Sequence, residues 1–95
     1  MCFNQLFNNV KFSKNEDVSD KLEDLTKSCP MIRICSENRT ERFWGLLFTE
    51  EDCIKLTSGN ATILFVSIND TFCGCKKGTV YEAYVNSDGC TTLKG

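Results

Sequence analysis

The period of apolar and polar positions changes several times along the chain, and each change marks an element. Val18, Leu22, Leu25 and Cys29 recur at i, i+4, i+7 and i+11, one stripe of an α-helix. Ser13-Lys14-Asn15-Glu16 has capping-box spacing, and Glu16, Asp17 and Asp20 lie where the helix dipole favours anions. Together they predict a helix over 15–28 with Leu22 and Leu25 in the core. Pro30 disfavours helical geometry at the residue before it, so the helix should stop at Cys29. Residues 1–12 carry Phe3, Leu6, Phe7, Val10 and Phe12 without a clean period and read as a ragged opening strand.

Beyond Pro30 the period shortens to two. "MIRIC" alternates and predicts a strand over 31–35. "SENRTE" is a polar turn. "RFWGLLF", 42–48, is apolar on both sides, as in a strand buried on both faces. Thr49-Glu50-Glu51-Asp52 repeats the capping-box spacing and predicts a short helix over 50–56. "TSGN" breaks the chain. "ATILFVSI" is rich in β-branched and aromatic residues and predicts a strand. "FCGCK" reads as a short strand between the turns at "NDT" and Gly78, and "TVYEAYV" as the last strand, closed by the Asn86-Ser87-Asp88-Gly89 turn.

The order helix, two strands, helix, three strands predicts one domain over 1–95. It is of α+β class, a small disulfide-stapled antiparallel sheet with one N-terminal helix and one short helix. The alternative is an immunoglobulin-like β-sandwich, suggested by the order Cys29, Trp44, Cys73. The tyrosine expected two residues before the second cysteine is Thr71, and the 15–28 helix is foreign to that fold.

Composition adds a compartment. The chain has seven cysteines and three sequons, at Asn38, Asn60 and Asn69, each in a predicted turn. Both features point to an extracellular glycoprotein, secreted or the ectodomain of a longer anchored protein. "MCFNQLFNNVKF" has no signal-peptide pattern, so a secreted form would have lost its leader upstream. The longest apolar run, Phe43 to Phe48, is far short of a membrane span, and no direct membrane insertion is expected. Net charge is −2 with the signs evenly mixed, which argues against a nucleic-acid partner.

Candidate chemistry is thin. Histidine is absent, which removes Ser-His-Asp and Cys-His catalysis and histidine metal ligation. The cysteine spacings, C-x5-C and C-x-C, are not those of zinc sites, and C-x-x-C is missing. No metal or cofactor is expected. Cys29, Cys35, Cys53, Cys73, Cys75 and Cys90 are the disulfide candidates, with Cys2 the free or intermolecular thiol. On a strand, Cys73 and Cys75 face one way, so they should bridge to different elements, one toward Cys29 or Cys35 and the other toward Cys53 or Cys90. Glu50, Glu51 and Asp52 read as the first turn of a helix, and Glu82 as a solvent-facing strand charge. Trp44, Lys76 and Lys77 are the binding candidates. The expected function is a non-catalytic domain that binds another protein; the alternative is a carrier of a lipid or other small apolar ligand, lined by "RFWGLLF" and "ILFVSI".

Overall fold

The computed structural model describes residues 12–94. A 3₁₀ turn at Ser19–Lys21 runs into α1 (Leu22–Ser28), followed by β1 (Met31–Cys35), β2 (Arg42–Leu46), α2 (Glu50–Ser58), β3 (Ala61–Ser67), β4 (Val80–Val85) and β5 (Thr91–Leu93). The strands pair in chain order and the last meets the first, giving a closed five-stranded barrel. Neighbours are antiparallel except at the seam, where β5 runs parallel to β1 through Cys35 and Thr92.

This overturns the expected α+β sheet with a helical layer, and the two-sheet sandwich with it. The physical reason is β5. "TTL" after the Asn86–Gly89 turn pairs with β4 and then, at Cys35–Thr92, with β1, which closes the ring. The expected staples are absent too. Among the described residues no disulfide joins any two of Cys29, Cys35, Cys53, Cys73, Cys75 and Cys90.

Strand alternation sorts the core into two clusters. Ile34, Phe43, Ile63, Phe65, Ala83 and Val85 point inward and fill the barrel, joined by Leu47 and Cys75. Phe65 stacks at a tilt on Phe43 and Tyr81, with ring centroids 5.9 and 6.1 Å away. Gly45 makes room for it, since a Cβ there would lie 2.5 Å from the Phe65 ring and 2.7 Å from Ile34. The second cluster lies on the outer wall. Leu46, Val66 and Val80, paired across three strands, take Val18, Leu22 and Leu25 from the α1 region, with Cys29, Phe12 and Phe48. The predicted apolar stripe is therefore core, although against the outside of a barrel.

The predicted helix over 15–28 starts late. Asn15 takes a left-handed φ of +70°, and the segment after it pairs with the start of β4. Asn15 N–H donates to Val80 O, Val80 N–H to Glu16 O, and Val18 N–H to Gly78 O. A backbone pinned to a strand cannot also make i→i−4 bonds. Ser13 N–H still donates to Glu16 Oε1 at 2.8 Å, but within a turn. At α2 the capping reading holds: Thr49 Oγ1 accepts from Asp52 N–H and donates to its carboxylate. The predicted strand "FCGCK" is a turn. The opening strand over 1–12 lies outside the described residues except for Phe12, whose ring packs 4.8 Å from that of Phe48.

Two substitutions test this packing. Leu25→Ala removes a fully buried side chain and should cost about 2–5 kcal/mol in urea unfolding. Gly45→Ala adds a single methyl yet should cost about 1–3 kcal/mol, because Phe65 and Ile34 occupy its place. An unchanged midpoint for Gly45→Ala would mean that the barrel interior is not filled as described.

Candidate functional site

The segment from Ser67 to Thr79 is a loop whose amides are almost all spoken for. At its base, Ser67 N–H donates to Thr79 O and Gly78 N–H to Ser67 O. At its tip, Thr71 N–H donates to Cys75 O and Gly74 N–H to Thr71 O. The Glu41 carboxylate forks onto two more, taking Phe72 N–H on Oε2 at 3.2 Å and Cys73 N–H on Oε1 at 3.1 Å. Cys75 N–H donates to Thr71 Oγ1, Lys76 N–H to Tyr81 Oη and Lys77 N–H to Asp70 Oδ1. Thr79 N–H closes the series on Lys76 O. From Thr71 to Thr79 every backbone donor has an acceptor, which fixes a loop that has little apolar packing of its own.

Gly74 sits at the apex with φ +101° and open space around its Cα. That left-handed geometry favours glycine, and it turns the chain so that both flanking cysteines meet the Thr71 hydroxyl. Cys73 Sγ lies 3.1 Å from Thr71 Oγ1. Cys75 N–H donates to the same hydroxyl at 3.0 Å. Cys73 is exposed and Cys75 buried. Burial pushes the Cys75 thiol up to about 11, with the Cys73 and Glu41 charges adding to the effect and the Thr71 hydroxyl opposing it. A cavity of about 520 Å³ opens beside the pair, lined also by Ser36, Asn38, Tyr81 and Lys94.

Cys73 and Cys75 line one cavity and form no disulfide to another described cysteine, correcting the expected double staple. The remaining described cysteines are dispersed. Cys29 is buried under α1, where desolvation alone raises its thiol to about 11. Cys35 lies on the outer face of β1, Cys53 on α2, and Cys90 after the last turn, where its N–H donates to Asn86 Oδ1. Cys2 lies outside the described residues. Among the described residues no three His, Cys, Asp or Glu side chains converge as a metal cluster.

Lys76 and Lys77 follow the turn with exposed side chains, and Asn69 precedes it, also exposed. Asn38 is exposed in the β1–β2 turn, where its Oδ1 accepts from Ser36 Oγ and from Thr40. Asn60 is exposed after Gly59 and accepts from the Tyr84 hydroxyl. Trp44 stands on the outer face of β2, 40% exposed, with the Arg33 guanidinium 5.2 Å from its ring centre. The acids at 50–52 behave as a helix start. Asp52 is buried, and desolvation raises its carboxyl above the ordinary range against the Thr49 hydroxyl and Lys55. Glu82 pairs with Lys14 at 3.3 Å.

Sequence reasoning did not single out Glu41, Thr71, Arg33 or the fully exposed Phe72. Glu41 carries no local signal, since its partners lie 31 and 32 residues away. Comparison with protein-family models, curated proteins and solved structures finds no match, so function is argued from the side chains alone.

Thiol labelling separates the two cysteines. Alkylation at pH 8, read by peptide mass spectrometry, should mark Cys73 first, with Cys75 and Cys29 following only on unfolding. The pH dependence has a definite sign. Both buried thiols keep their protons up to about 11 in the fold, against 9.0 for a free thiol. Their contribution to stability is present below pH 9 and is lost as pH rises through about 11. Urea midpoints that do not fall between those values would contradict the burial.

Proposed function

We propose that the chain is a non-catalytic protein-binding domain of the extracellular space, secreted or displayed by a longer anchored protein. The observation that carries this reading is Trp44. The chain's single tryptophan is left on the outer barrel wall, with Arg33 stacked on it. An exposed tryptophan held by arginine has the chemistry of an interface anchor: a large rigid apolar face with a charge beside it.

The surroundings define the face. Strand register places Tyr84, Thr92, Cys35 and Arg42 side by side across the seam, with Arg33 and Trp44 in the next row. Arg33 and Arg42 are both exposed. Two arginines around an aromatic suit a partner surface that is acidic and apolar. The closed barrel offers no strand edge for an added strand, so contact runs through side chains. A glycan on Asn60 would stand beside Tyr84, at the margin of this face, leaving the Arg33–Trp44 row open. The three exposed asparagines support the extracellular placement. No helix among the described residues is long and apolar enough to cross a membrane.

The carrier reading has less support. "ILFVSI" and "RFWGLLF" line a barrel that their own side chains fill, and Gly45 is needed to fit Phe65 alone.

Titration of the glycosylated protein onto intact cells, read by flow cytometry, tests the reading. Trp44→Ala should weaken saturable binding about 30-fold, a hot-spot loss of roughly 2 kcal/mol. Arg33→Ala should weaken it as well, while Ser87→Ala, on the β4–β5 turn outside the Arg33–Trp44 row, should not. Equal binding by Trp44→Ala and the unaltered chain would remove this face from the account.

A further inference from the structure

We propose that the Thr71–Cys75 turn is a two-sulfur site for a soft monovalent cation, copper(I) being the biological representative. The proposal stands on the turn alone and does not depend on what the barrel face binds.

Two thiols that flank Gly74 and line one cavity are a ligand pair open to a soft ion. Thiolates select copper(I) among the available metals. Such a d¹⁰ ion is satisfied by two sulfurs, whereas structural zinc takes four ligands. The described residues supply no third Cys, His, Asp or Glu to a common centre, so the site's chemistry is digonal. Loading is a simple exchange. The ion leaves its donor, each S–H bond is replaced by an S–Cu bond, and two protons pass to water. No electron moves.

The geometry is fixed before the ion arrives. Gly74 at φ +101° turns the chain between the two cysteines, and the Glu41 fork holds the Phe72 and Cys73 amides at 3.2 and 3.1 Å. Thr71 Oγ1, 3.1 Å from Cys73 Sγ, is placed to hydrogen-bond a sulfur once it is deprotonated. The two cysteines divide the task. Exposed Cys73 meets the incoming ion, and buried Cys75 retains it away from water. The adjoining cavity of about 520 Å³ admits a small donor to the pair.

The test is anaerobic titration of the reduced full chain with copper(I), supplied as its acetonitrile complex and competed with a chromogenic chelator. One equivalent should bind, with two sulfur neighbours in the copper X-ray absorption spectrum. Cys73→Ser and Cys75→Ser should each lose more than the roughly 10–100-fold that removal of a second-shell partner costs, and Thr71→Val should fall within that range. C2S/C35S/C53S/C90S should bind as the unaltered chain does. Labelling gives a check that needs no variant: one equivalent of copper(I) should protect Cys73 from alkylation. Continued labelling of Cys73 in the loaded protein would overturn the proposal. So would copper binding that survives in C73S/C75S or is lost in C2S/C35S/C53S/C90S.

Discussion

Closure of the barrel at the seam between β5 and β1 is the constraint on which the rest of the molecule depends. β5 is three residues long, and its parallel pairing at Cys35 and Thr92 is what turns a meander of four antiparallel pairs into a ring. A ring of five strands has an interior that side chains alone can fill. Phe65, Phe43, Ile34, Ile63 and Val85 do so, and Gly45 is the concession that lets the largest of them cross. With the inside occupied, the apolar stripe of α1 has to pack outside, on Leu46, Val66 and Val80. With no edge left, only outward side chains are available for recognition, and Trp44 is the largest of these on β1 and β2.

The same closure anchors the thiol turn. Glu41 stands one residue before β2, and Tyr81 lies in β4, so the two side chains outside the loop that hold its Phe72, Cys73 and Lys76 amides both come from the barrel wall. The loop borrows its rigidity from the wall. That explains how an exposed segment containing Gly74 holds two cysteines on one cavity without a covalent link. The arginine–tryptophan row and the thiol turn are joined through β2, since Trp44 O accepts from Ile68 N–H where the loop leaves β3.

Local elements were legible in the sequence wherever their cause is local. β1 follows the alternation of "MIRIC", α2 begins at the Thr49 cap, and α1 ends where Pro30 requires. Leu22 and Leu25 are buried as their stripe indicates. What failed has non-local causes. The start of the first helix is lost because β4 captures the Asn15–Val18 backbone. β5 escaped notice because three residues make a weak pattern, although Asn86–Gly89 is a hairpin turn and a hairpin needs a second strand. The thiol pair was misread because "FCGCK" alternates like a strand, while its geometry is set by Glu41, remote in sequence. Cysteine number suggested staples, and none joins the described cysteines.

One measurement reaches the centre of this account: nuclear Overhauser contacts in the folded chain, across the seam and inside the ring. The account predicts backbone cross-peaks between Cys35 and Thr92, together with contacts of the Phe65 ring to Ile34 and to the Gly45 α-protons. Slow amide exchange on β1 should accompany them. Rapid exchange along β1 with no contact to β5, or a Phe65 ring remote from Gly45, would mean an open sheet and would contradict the closed, filled barrel.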